Sequence, residues 1–203
     1  MTTDQEAFLK VQGRLVGDVG HVIDLLIADS RTNEAQPPPF WALLRMLLPI
    51  AESLGDLVYQ EGETTENLRR IFAEELVSYS ENYGKVAALL SLIYRHSLMH
   101  QDELRVIEFE GHTVVWSVGF PKDLEHLAVV VQGDRIRIQF DAQEFYDDLV
   151  RLCDELSQRE FGGAAGKRYD DWTHLELQRQ ASGVGLKQKA VAEIDALLAS
   201  VND

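Results

Sequence analysis

Cysteine is all but missing from this 203-residue chain: Cys153 stands alone, so neither an intramolecular disulfide nor a cysteine-rich zinc site can form within it. Nothing therefore points to an oxidising compartment. Long hydrophobic runs are also lacking, since no apolar stretch approaches the ~18 residues that span a bilayer. The opening Met-Thr-Thr-Asp-Gln-Glu has no basic region leading into an apolar core, so no secretion signal is expected. These absences give a soluble, cytoplasmic protein with no membrane partner as the expectation. Cations are scarce too: 19 Lys and Arg face 34 Asp and Glu, a formal charge of −15. Broad affinity for phosphate rests on many cations, so a generic polyanion binder is excluded, whereas a narrow basic cleft is not.

What is present suits one compact domain with an appendage. Hydrophobic residues make up 45% of the chain, enough for a core. Phe8, Val11, Leu15, Val19, Val22, Ile23, Leu26 and Ile27 fall at helical offsets and predict one amphipathic helix over about 5–28. Pro37, Pro38 and Pro39 stop it and lead into a second, marked by Phe40, Leu43, Leu44, Leu47, Leu48, Ala51, Leu54, Leu57 and Val58. Pro49 lies inside that run and predicts a kink or break. A third helix is expected over about 65–80, carrying Leu68, Ile71, Phe72, Leu76 and Val77, and a fourth over about 83–101.

The period then shortens. Arg105–Phe109, Thr113–Gly119, Leu127–Gln132 and Arg135–Phe140 are rich in Val, Ile, Phe and Trp, with turn chemistry at Glu110-Gly111 and Gly133-Asp134. They predict a small antiparallel β-sheet inserted at about 105–140. Arg135, Arg137 and Gln139 alternate with Ile136, Ile138 and Phe140, which gives the last strand a cationic outer face. Asp141 with Glu144 three residues on has the form of a capping box and opens a further helix over 141–159. The three glycines of Phe161-Gly-Gly-Ala-Ala-Gly-Lys-Arg predict a flexible connection to an extension over 160–203, whose final helix carries Val191, Ile194, Leu197, Leu198 and Val201.

Only two histidines are close in sequence: His96 and His100, in Tyr94-Arg95-His96-Ser97-Leu98-Met99-His100-Gln101-Asp102-Glu103 at the expected end of the fourth helix. This resembles the signature of the HEPN family, an arginine, a short spacer opening on Asn, Asp or His, and then a histidine. The proline-led second helix with Arg45 and Pro49 and the four-helix arrangement before the motif are similar as well. The resemblance covers 5–103 and extends to the helix at 141–159, but not to the last forty residues or so. It implies a mainly α fold, an HEPN-like up-and-down helical bundle with the sheet as an insert in a domain of residues 1–159. It also implies a metal-independent, cofactor-free endoribonuclease, a toxin or stress and defence nuclease, acting as a homodimer whose motifs line a shared cleft for RNA. A protein antitoxin or regulator would then be a partner. Some toxins of the family carry a tyrosine two residues after the histidine, where this chain has Asp102.

The chemistry can be argued from the residues alone. Attack of a 2′-hydroxyl on the adjacent phosphorus needs a group titrating near neutrality and a cation for the pentacoordinate phosphate. His100 fits the first role, Arg95 the second, and His96 can orient either. Residues 85–105 carry three cations against two acids, whereas 1–84, 106–159 and 160–203 are each net acidic. Two other readings remain open. The motif can serve a non-catalytic RNA- or protein-binding scaffold, and His96, His100 and Glu103 share one helical stripe on which two imidazoles and a carboxylate could hold a metal ion. His112 and His126 read as surface or turn residues, and His174 has no partner at catalytic spacing. Trp116 and Cys153 read as packed residues. Gly162, Gly163 and Gly166 lack the lysine, the hydroxyl and the preceding strand of a phosphate loop.

Overall fold

A computed structural model describes residues 1–32, 40–60, 64–93, 106–119 and 125–173. The chain divides into two compact units, Met1–Arg168 and Tyr169–Asp203. The first is mainly helical with a small four-stranded sheet. Among the described residues no helix is long and apolar enough to cross a membrane.

Helix α1 (Thr3–Arg14) opens where the Thr2 hydroxyl accepts from the Gln5 N–H at 3.2 Å, with Asp4 and Glu6 in the first turn at the positive end of the dipole. A π-helical stretch over Leu15–Gly20 carries the chain without a break into α2 (His21–Thr32). The single long helix expected here is thus continuous but widened by one turn, and Phe8, Val11, Leu15, Val19 and Ile23 are buried along it. Helix α3 (Phe40–Tyr59) runs through Pro49 unbroken. The proline removes one backbone donor, but Leu43, Leu44, Leu47 and Leu48 before it and Ala51, Leu54 and Leu57 after it are all buried, so packing on both sides holds the helix together.

The third expected helix divides into α4 (Thr64–Arg70), a π-helical turn at Ile71–Glu75 and a 3₁₀ turn at Leu76–Ser78. Helix α4 packs on α3 at a point where a Cβ on Gly55 would lie 2.6 Å from the Asn67 carbonyl oxygen. Only glycine allows that approach. Helix α5 (Glu81–Ile93) lies against α4 and the turns that follow it, burying Tyr83, Val86, Ala87 and Leu90.

Strands β1 (Ile107–Phe109), β2 (His112–Gly119), β3 (Val129–Gln132) and β4 (Arg135–Asp141) form one sheet in the order β1-β2-β4-β3. The expected all-antiparallel sheet is corrected here, because β2 and β4 pair in parallel over Thr113–Gly119 and Arg135–Asp141. Both hairpins form as their turn residues require: φ is positive at Glu110 and Gly111, and again at Gly133. Turn chemistry sets only adjacent pairing. Strand β4 lies between β2 and β3, so the hairpin partner of β3 separates it from β2. Val114, Ile138 and Phe140 are buried on the face toward the helices.

Helix α6 (Ala142–Ser157) packs on α1 and α3, burying Phe145, Leu149, Leu152, Cys153 and Leu156. The glycine-rich segment after it, expected to be slack, is a fixed turn. The Asp4 carboxylate accepts backbone N–H bonds from Phe161 (3.2 Å), Gly163 (2.8 Å) and Gly166 (2.9 Å). The first compact unit includes this segment and extends to Arg168. Helix α7 (Ala164–Thr173) starts on that turn. Of the second unit the described residues are 169–173, where the Thr173 hydroxyl donates to the Tyr169 carbonyl at 3.0 Å.

Candidate functional site

Arg95, His96, His100, Asp102 and Glu103 lie outside the described residues, as do His174 and the helix expected at 186–201. The structure does describe the support for the motif. Helix α5 leads directly into it, with Tyr94 alone between Ile93 and Arg95. Tyr83, Val86 and Leu90 anchor the inner side of α5, while Gly84, Ala88 and Leu92 are exposed at four-residue spacing along its outer side.

The polar centre that the structure does bring together is built around His126, which lies in a turn, one of the two positions expected, but is buried rather than at the surface. His126 is fully buried among the rings of Tyr83, Phe140 and Phe145. Its Nδ1 accepts the Asp141 N–H at 3.0 Å, so the neutral ring carries its proton on Nε2. Nε2 finds no acceptor among the described residues, and burial pushes the imidazole pKa down to about 3. Leu127 follows with φ of 58°, a strain on the order of 1–3 kcal/mol that the burial of both residues offsets.

This arrangement also alters the capping box. The Asp141 carboxylate accepts from the Gln143 and Glu144 N–H groups at 2.9 and 3.1 Å, as the motif predicts. The return bond to the Asp141 N–H comes from the imidazole of His126 instead of the Glu144 carboxylate, which takes a backbone bond from His126. Burial holds the Asp141 and Glu144 carboxyls above their ordinary pKa values.

Across the cluster the Tyr83 hydroxyl donates to Asp148 Oδ2 at 2.8 Å. Burial first, then the nearby Asp148 charge, raises the Tyr83 phenol well above its usual pKa, while burial raises Asp148 despite the bond from Tyr83. The Asn82 side-chain amide donates to the Glu125 carboxylate at 3.1 Å and to the His126 carbonyl at 3.3 Å. Taken together, the groups tie α5, the β4–α6 junction and the approach to β3 into one buried knot. Its histidine and tyrosine are neutral near pH 7. Their bonds and ring contacts join the start of α5 to the segment before β3 and to α6.

The remaining sequence candidates separate by exposure. Cys153 is buried, and burial followed by the Asp154 charge pushes its thiol up to about 12, as suits a packed residue. Trp116 lies in β2 opposite Ile138. Its indole N–H is buried without an acceptor among the described residues. His112 is exposed at the start of β2, and Arg135 and Arg137 are exposed on β4. Among the described residues no group of His, Cys, Asp and Glu is placed to hold a metal ion. The role of His126 had one signal in the sequence: the apolar run Leu-Ala-Val-Val-Val follows it directly. No protein-family model, curated protein or solved structure matches the chain.

Proposed function

We propose that the chain is an HEPN-like, metal-independent endoribonuclease, a toxin or stress and defence nuclease working as a homodimer, with Arg95 and His100 of both copies around one RNA phosphate. The observation that carries this reading is the Arg95-His96-Ser97-Leu98-Met99-His100 motif placed directly after α5. The exposed Ala88 and Leu92 on that helix support the dimer, because a second α5 would cover this apolar surface beside the two motifs. In the reaction the 2′-oxygen bonds to phosphorus as its proton passes to an imidazole. The 5′-oxygen leaves with a proton from the second imidazole, so the products are a 2′,3′-cyclic phosphate and a 5′-hydroxyl. Arg95 stabilises the charge on the pentacoordinate phosphate, and His96 orients the reacting groups. The net charge of −15 leaves such a cleft as a narrow entry for a particular RNA past a repelling surface.

The test is RNA cleavage by the purified protein in EDTA, with 2′,3′-cyclic phosphate ends in the product. Arg95→Ala and His100→Ala should each lower the rate by about 100-fold or more. Cleavage that is lost in EDTA and restored by zinc would replace this reading with a metal site at His96, His100 and Glu103. Failure to cut a varied panel including structured RNAs would overturn it in favour of a binding or scaffold protein.

A further inference from the structure

Strand β3 ends the sheet on one side, and its outer backbone edge has no partner among the described residues. Gln132 and Arg135 flank the two-residue turn as a hydrogen-bonded pair, Val130 with Arg137 repeats that geometry, and at the other end the Gln139 N–H donates to the Ala128 carbonyl at 3.0 Å while the Leu127 N–H donates to the Gln139 carbonyl at 2.7 Å. The even-numbered residues of β3 therefore turn their backbone groups toward β4. Val129 and Val131 turn theirs outward, offering two N–H donors and two carbonyl acceptors to an incoming strand.

Natural sheets blunt such edges with lysine, proline or a charged side chain. The β1 edge follows that rule with its exposed Glu108, but β3 reads Val-Val-Val-Gln. Val129 is 46% exposed and Val131 63%, both on the apolar face of the sheet. On the opposite face Arg137 stands beside Val130 and Arg135 beside Gln132, both exposed and in no ion pair among the described residues. Glu108 lies on the β1 side of Arg135 and accepts from the Thr113 hydroxyl, which leaves the β3 side of the arginines open.

We propose that the β3 edge binds an extended peptide of alternating apolar and acidic residues, which adds to the sheet as a fifth strand. Its apolar side chains continue the row of Val129 and Val131. Its carboxylates fall on the other face, at the two-residue repeat of about 7 Å that separates Arg135 from Arg137, within reach of the guanidiniums across Val130 and Gln132. An open backbone edge flanked by valines has no use for a nucleic acid, and the surrounding acidic surface repels a long polyanion while admitting a peptide with few charges. The whole-chain charge suggests a basic partner, whereas this edge selects an acidic one.

The probe is acetyl-Thr-Val-Glu-Val-Glu-Val-Thr-amide, titrated into the full chain by calorimetry beside the same peptide with lysine in place of glutamate. Binding of the acidic peptide alone is expected. Arg135→Gln with Arg137→Gln should weaken it by about tenfold, since two partly exposed pairs are lost. Val131→Pro removes one outward N–H and leaves the bonds to β4 in place, so it should weaken binding to a similar degree with an unchanged circular dichroism spectrum. Equal binding of both peptides, no binding at millimolar peptide, or an affinity untouched by Val131→Pro would overturn the proposal. Displacement of the peptide by oligouridylate that depends on the arginines but not on Val131 would also overturn it and assign the face to RNA. None of these outcomes depends on whether the protein cleaves RNA.

Discussion

Protonating His126 should unfasten the sheet from the helices, and the pH range in which this happens follows from its surroundings. In the unfolded chain a histidine titrates near 6.5, while in the folded protein burial holds this one at about 3. Because the folded pKa is the lower, the unfolded state binds the proton first. The contribution of His126 is complete above about pH 6.5 and is lost progressively as pH falls toward 3. The loss runs at ~1.4 kcal/mol per pH unit, so going from pH 6.5 to pH 5 costs about 2 kcal/mol, a large part of a typical stability of roughly 5–15 kcal/mol. The acidic groups around the ring act in the opposite sense. Burial raises the folded pKa values of Asp141, Glu144 and Asp148, so their protonation regains stability as pH falls and offsets part of the imidazole's loss. The part due to the imidazole is isolated by comparing wild type with a variant that does not titrate at position 126. Urea unfolding at pH 7.5 and pH 5 should show the lower midpoint at pH 5. In His126→Asn the side-chain carbonyl can take the Asp141 N–H in place of Nδ1 without titrating, so this variant should be less stable at pH 7.5 yet lose the slope. A wild-type midpoint that does not move, or a His126→Asn slope equal to wild type, would refute the reasoning.

Other positions yield sharper local tests. Asp4→Ala removes the carboxylate that accepts three backbone N–H bonds and should cost about 2–4 kcal/mol by thermal unfolding. Because those bonds, with one from Ala165, outweigh burial and lower the Asp4 pKa, its contribution should be present above about pH 3.8 and lost only below that; a wild-type and variant difference that vanishes already at pH 5 would contradict this. Gly55→Ala gains helix propensity of ~1 kcal/mol but places a Cβ 2.6 Å from the Asn67 carbonyl, so the melting temperature should fall by several degrees rather than rise. The Cys153 thiol should resist an aromatic disulfide reagent in native buffer and react fully in urea; fast labelling of the native protein would show that the α6 stripe is open.

Elements were more legible than their arrangement, and particular residues show why. The stripe through Phe8, Leu15, Val19 and Ile23 marks a helix because burial on one face imposes a 3.6-residue period, yet a π-helical stretch keeps nearly the same burial pattern and escapes such a reading. Pro49 illustrates the reverse case. Its local chemistry argues for a break, and buried leucines on both sides override it. For the sheet, Glu110-Gly111 and Gly133-Asp134 dictate two hairpins, but no local signal states that β4 will lie between β2 and β3, since that order depends on the path of the connection and on the face presented to α6. The Arg95–His100 motif is legible from residue types and spacing alone, and it lies outside the described residues.

The knot at His126 was hidden for a related reason, and its position gives the insert a mechanical meaning. Asp141 and Glu144 advertise a self-sufficient capping box, whose return bond would be local. Transferring that bond to His126, which precedes β4 in the chain, makes the start of α6 depend on the strand approach being in place. Asn82 and Tyr83 at the head of α5 then join the same knot through the His126 carbonyl and Asp148. Helix α5 leads directly into the motif, so a sheet lost from its place would release the start of that helix. Substitutions at His126 or Asn82 should therefore loosen α5 as well as the sheet, and amide exchange in Val86–Leu90 should rise together with that in Ile136–Phe140. Faster exchange confined to the strand would show that sheet and bundle open independently, and the knot would then be packing without coupling.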